Sequence, residues 1–169
     1  MEYKPPKKVA AALLLVAVLS SAAASLLAFA ALGVGRRYLL IAASLLFFAV
    51  SFLIISRFVV FDCLYKLSDD YSDSYFSSYV FRKKRFYLEH KIEFNGKEEL
   101  ILLDKKGRKR VKKLPLRKDM TSNLIPKKRY ALLFCEENTP VYITVELDEH
   151  FAALVKAKID HAKKLYSDR

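Results

Sequence analysis

Tryptophan is absent from this chain, cysteine occurs twice, histidine three times and glycine four times in 169 residues. Two cysteines cannot staple a disulfide scaffold. Cys63 and Cys135 are far apart with no histidine at metal-ligand spacing, so no zinc site is read. As thiols of a cytoplasmic domain they are expected to be reduced, half-buried packing groups. Four glycines, none in phosphate-loop spacing, exclude a glycine-rich nucleotide cradle. Charge is missing too, but only locally: 9–32 and 38–56 carry none. The excess is of positive charge, 30 Lys+Arg against 18 Asp+Glu and a net +12, with all but five of the basic residues after residue 56. The 53% hydrophobic and 28% charged residues therefore belong to different parts of the chain. A disordered chain and a wholly soluble globule are both excluded.

The run 9–32 is interrupted only by Ser20, Ser21 and Ser25, and 38–56 is rich in Leu, Phe and Ile. Each is long enough to cross a bilayer as a helix. The connector Gly33-Val34-Gly35-Arg36-Arg37 is short, so the pair reads as a transmembrane hairpin. Small residues Ser20, Ala24 and Ala28, four apart, are expected to form its packing stripe. Lys4, Lys7 and Lys8 followed by an apolar run, with Ala28-Phe29-Ala30 beyond, also fit a cleaved signal peptide. The first run exceeds a signal core of 7–15 residues and a second follows at once, so an uncleaved anchor is expected. Basic flanks on the tail 1–8 and after Arg57 outweigh Arg36 and Arg37. Both termini are expected in the cytoplasm, with the protein in the plasma (inner) membrane.

From Arg57 the period changes to two. Phe61, Cys63, Tyr65 and Leu67 alternate with other residues; Asp69 to Asp73 reads as a turn rather than a cation loop, since the glycine and distal glutamate of such a loop are missing. Tyr75 to Phe81 reads as a second strand. Phe86, Leu88, His90, Ile92 and Phe94 form the apolar face of a third, which Asn95-Gly96 turns into a hairpin with Leu100 to Leu103. Lys105 to Arg108 reads as another turn, Val111 to Leu116 as a strand ended by Pro115, and 117–129 as a basic connection. Tyr130 to Cys135 and Val141 to Leu147 complete about seven strands. Phe151, Val155, Ile159, Ala162 and Tyr166 then mark one face of a C-terminal helix, 148–166, started by Asp148. The fold class expected is a two-helix membrane hairpin (9–56) followed by a bent antiparallel sheet capped by a helix (57–169).

Seven strands and a terminal amphipathic helix resemble a pleckstrin-homology-like domain. Two membrane helices placed directly before it resemble bacterial membrane-anchored proteins of that type, the YcxB-like group. The most local likeness is Val141 to Ile159, where an apolar strand leads through Leu147-Asp148-Glu149 into the helix. Leu124-Ile125-Pro126-Lys127-Lys128-Arg129 is similar to an Ile-Pro-Lys stretch of that group, although two strands separate it from the helix here. The resemblance implies membrane tethering and a binding or scaffold role and does not imply catalysis; a noncatalytic protein without a cofactor is expected.

The chemistry-bearing feature is the set of basic clusters. Arg82, Lys83, Lys84 and Arg85 form one, and Lys105, Lys106, Arg108, Lys109 and Arg110 another. Lys112-Lys113, Arg117-Lys118 and Lys127 to Arg129 follow. Each Lys or Arg near an anionic leaflet is worth about 1 kcal/mol. The first two clusters are read as contacts for anionic lipid headgroups or an acidic protein partner. A hairpin that joins a larger integral-membrane complex, or a homo-oligomer, is the alternative. Nucleic acid is the weaker partner, because no recognition module accompanies the charge. No catalytic residue, metal or cofactor is nominated: the three histidines lie apart, and no Ser/His/Asp arrangement emerges.

Overall fold

The computed structural model describes residues 1–33, 37–68, 74–82, 85–126 and 128–167; of Arg82 it describes the backbone only. The connector 34–36, the expected turn Asp69 to Asp73, Lys83, Lys84 and Lys127 lie outside the described residues. The chain forms two compact units. One is Lys7–Asp62 with Asn123–Ile125; the other is Met1–Pro6, Cys63–Ser122 and Pro126–Arg169.

The first unit is a helical pair. Helix α1 spans Ala10–Ala31; α2 spans Arg37–Ile54 and continues in wider turns over Ile55–Val60. Both are long and apolar enough to cross a membrane. They pack along each other, and only small side chains are fully buried between them: Ala12, Ala23 and Ala30 on α1, Ser44 and Ser51 on α2. Half-buried Val16, Leu19 and Leu26, and on α2 Leu40, Phe47 and Ile54, complete two rows with alternating four- and three-residue steps. That is the seam of a left-handed pair. The buried hydroxyls of Ser44 and Ser51 donate back to Ile41 O and Phe47 O, each at 2.8 Å. The expected stripe Ser20/Ala24/Ala28 is not this seam, because Ala24 and Ala28 are exposed. Strict four-residue spacing drifts around a helix, whereas a sustained contact needs steps averaging 3.5.

The second unit holds two four-stranded sheets. Strands β1 (Glu2–Tyr3), β2 (Cys63–Leu67), β3 (Tyr75–Arg82) and β4 (Arg85–Glu93) form an antiparallel meander in that order. Strands β5 (Glu99–Leu102), β6 (Leu116–Asp119), β7 (Tyr130–Glu136) and β8 (Thr139–Val145) form the other, in the order β5-β7-β8-β6. A short helix α3 (Lys105–Val111) and the terminal helix α4 (Glu149–Ser167) complete it. Residues 1–6, a tail by sequence, supply β1: Met1 N donates to Leu67 O at 2.8 Å, and Tyr3 pairs with Tyr65.

Among the described residues eight strands replace the expected seven, and their arrangement differs in three places. Asn95-Gly96 makes its turn, with Gly96 at φ +87°, but joins no hairpin. Strand β5 pairs with β7, so the turn carries the chain from one sheet to the other. The Glu98 carboxylate holds it by accepting from Asn95 N at 2.9 Å and Gly96 N at 3.0 Å. Leu88 is 53% exposed instead of sharing the face of Ile92 and Phe94. Ser78 faces His90 but Tyr79 faces Leu88, so Glu89 is an extra residue and the alternation inverts there. The expected strand Val111 to Leu116 is the end of α3 and a turn. Strand β6 begins at Leu116 and lies parallel to β8. Asp119 fixes it: its carboxylate accepts from Thr121 N at 3.1 Å and Thr144 Oγ1 at 2.6 Å.

The core is an aromatic column. Phe151 of α4 stacks on Tyr3, Tyr3 on Tyr65, and Tyr65 on Phe76. The fully buried Tyr65 hydroxyl donates to Met120 O at 2.8 Å and accepts from Glu146 N at 3.1 Å, tying β2 to the ends of the second sheet. Helix α4 starts as its sequence requires, with Asp148 Oδ1 accepting from Phe151 N at 2.7 Å. It buries Phe151, Ala152, Val155, Ile159 and Ala162; Tyr166, expected on that face, is exposed.

Candidate functional site

The two basic clusters fall on different elements, one on the β3–β4 hairpin and the other on α3. Arg82 ends β3 and Arg85 opens β4, paired opposite each other one step beyond Phe81 and Phe86. Those two rings lie 5.1 Å apart, and the Lys4 ammonium stands 5.4 Å from the Phe86 centroid. Lys83 and Lys84, between them, lie outside the described residues.

Lys105, Lys106, Arg108, Lys109 and Arg110 are helical, not a turn: all five lie on α3. The helix begins because Asp104 Oδ1 accepts from Gly107 N at 2.7 Å. Gly107 is required where the helix meets β5. A Cβ there would stand 1.9 Å from Leu102 O, so the glycine reflects close packing rather than a turn. This is why the glycine among lysines misleads a reading by composition.

Partners divide the basic residues. Lys118 pairs with Glu89, Arg117 with Glu136, and Lys128 with Glu149. Hydrogen bonding by Arg117 lowers the Glu136 pKa below the usual carboxylate range, and Lys128 does the same for Glu149. On α3, Arg110 makes two bonds to Glu99, at 3.0 and 2.9 Å, and Arg108 Nε donates to Leu103 O at 3.2 Å. Lys105, Lys106 and Lys109, with Lys112 and Lys113 just beyond, make no ion pair among the described residues and are exposed. Helical spacing puts Lys105, Arg108, Lys109 and Lys112 on one side of this segment.

Beneath that side lies a cleft of about 300 Å³, lined by Leu103, Arg108, Lys109, Val111, Lys112 and Tyr142. Its floor is continuous with a small buried cluster of Ile101, Val111 and Ala131. Sequence reasoning names the cations but misses Leu103 and Tyr142, which arrive from β5's end and from β8. Had 105–111 been read as a helix, its spacing would have grouped Lys112 with the others.

A second cleft, of about 330 Å³, includes His90, Ile92, Glu98, Phe134, Cys135 and Glu136. Burial, the largest cause, lowers the His90 pKa from 6.5. Glu98 and Glu136 are committed to the Asn95-Gly96 turn and to Arg117, so both carboxylates serve the structure. Cys63 is fully buried and Cys135 exposed, rather than both half-buried; neither is in a disulfide. Of the helix histidines, His150 is exposed and His161 half-buried. The chain matches no family model, no curated protein and no solved structure.

Proposed function

We propose that this protein is a membrane-anchored, noncatalytic binding module whose helix α3 contacts anionic lipid headgroups. The observation that carries the reading is the division of partners. Arg117, Lys118 and Lys128 are spent on neighbouring carboxylates, while Lys105, Lys106 and Lys109 are gathered on one short exposed helix without acidic partners among the described residues. Unneutralised, clustered charge is what an anionic surface attracts.

In this reading α1 and α2 cross the plasma membrane as a hairpin. An exterior of large apolar side chains over a seam of Ala and Ser supports it. Strand β1 precedes α1 and β2 follows α2, and the two pair in one sheet. That pairing agrees with an even number of crossings and termini on one side. Lys4, Lys7, Lys8 and Arg57 favour the cytoplasmic side. A pleckstrin-homology-like relationship would fit a sheet domain capped by a terminal helix.

The test is the binding of the full chain, held in phosphatidylcholine nanodiscs, to vesicles with and without phosphatidylglycerol over a salt series. Binding is expected to need the anionic lipid and to fade with salt. Lys105→Ala/Lys106→Ala is expected to weaken it about thirtyfold, at about 1 kcal/mol per charge. Binding that ignores lipid charge, salt and these two residues would sink the reading.

A further inference from the structure

The cleft under α3 has a composition that the surface lysines alone do not require. Three of its six lining residues, Arg108, Lys109 and Lys112, are cationic, and none is acidic. The other three, Leu103, Val111 and Tyr142, are apolar or aromatic. Val111 is 4% exposed, while Leu103 and Tyr142 are half-buried and pack on the same cluster. Arg108 is held in place by its Nε bond to Leu103 O at 3.2 Å, and its guanidinium makes no ion pair among the described residues. The nearby acidic groups are engaged elsewhere: Asp104 caps the helix and Glu99 holds Arg110.

A site with a cationic rim and an apolar floor is matched to an amphiphile whose anion adjoins carbon. Free phosphate would satisfy the rim and leave the floor against water. The volume sets the size of what enters. At roughly 30 Å³ per group, the share of a water molecule in the liquid, the cleft holds about ten non-hydrogen groups. That is a phosphate and a glycerol backbone with its ester oxygens, with the acyl chains left outside.

We propose that this cleft is a binding site for an anionic phospholipid. The phosphate sits among Arg108, Lys109 and Lys112, and the glycerol ester rests on Leu103, Val111 and Tyr142. The proposal deepens the headgroup reading above and rests on it. It converts a diffuse attraction into a defined site, and an occupied site fixes which face of the domain turns to the bilayer.

The experiment is photo-crosslinking of the full chain in phosphatidylcholine nanodiscs doped with phosphatidylglycerol that carries a diazirine beside the ester. Labelled peptides are mapped by mass spectrometry. The expected result is label on the peptides containing Leu103, Val111 or Tyr142. It should fall at least tenfold in Lys109→Ala/Lys112→Ala, both exposed side chains whose truncation leaves the core intact. A phosphatidylcholine probe with the same diazirine should label these peptides at least tenfold less, and excess inorganic phosphate should not compete. Equal labelling by the two probes would overturn the proposal. So would full competition by inorganic phosphate, since the site would then need no carbon against its floor. If Lys105→Ala/Lys106→Ala weakens vesicle binding while the cleft peptides stay unlabelled, the headgroup reading stands and the cleft site falls. If neither effect appears, both fall.

Discussion

The two units of this protein are built inside out relative to each other. In the helical pair the fully buried residues are Ala12, Ala23, Ala30, Ser44 and Ser51, while Leu14, Leu45, Phe52 and Leu53 are more than 60% exposed. In the sheet unit Tyr65, Phe76, Leu132 and Ile143 are fully buried, and Lys and Arg cover the outside. Water selects the second arrangement, because burying large apolar groups is the main driving force there. Lipid removes that force, and close approach through small residues takes its place. The difference is the one expected if the proposed membrane crossing puts the helical pair in lipid, and each half can be tested separately.

The largest expected effect sharpens the water-built half. Phe76→Ala removes a fully buried ring from the middle of the aromatic column. It is expected to cost about 3–5 kcal/mol, measured as a lowered denaturant midpoint of the sheet domain within the full chain. Next comes the substitution that would break the comparison. Leu45 is 63% exposed. On a water-facing surface Leu45→Lys would change stability by no more than about 0.5 kcal/mol. In a bilayer it costs about 2.5–3.5 kcal/mol at a helix centre. The expected outcome is a reduced fraction of chain retained by carbonate-washed membranes, and an unchanged fraction would show that the two halves share one solvent.

The smallest effect is a pH dependence confined to the sheet unit. Burial holds the His90 imidazole neutral, lowering its pKa from the ordinary 6.5. The unfolded chain therefore takes up a proton first. The contribution is complete above pH 6.5 and is lost as the pH falls from there through the lowered folded-state value. A denaturation series from pH 7.5 to 5 should show this decline. His90→Gln should flatten it, and an identical slope in the variant would rule His90 out as the cause.

Much of the architecture is legible in the residues because its causes are local. Charge-free runs announce α1 and α2, period-two patterning announces β2, β3 and β8, and a short apolar run announces β7. Asp148 with a 3.6-residue apolar row announces α4. Strand β4 is legible until Glu89, where a bulge inverts the faces. The segment Lys105 to Val111 misleads because Gly107 reads as a turn residue. It is in fact required by a contact with Leu102 O that only the folded chain contains. The candidate site is legible as charge and not as a cleft: Lys109 and Lys112 are visible, whereas Leu103 and Tyr142 join them only through the pairing of β5, β7 and β8.

By itself the sequence determined the two apolar helices, the strand-rich remainder, the capped terminal helix and the surplus of positive charge. These follow from composition and short-range periodicity, which act within a few residues. The tertiary structure alone decided that Glu2–Tyr3 joins β2, that Asn95-Gly96 links two sheets, and that β6 runs parallel to β8. It also decided which basic residues find carboxylates and which remain on α3 without one among the described residues. Those choices depend on partners distant in sequence, and no local pattern encodes a contact whose other half lies tens of residues away.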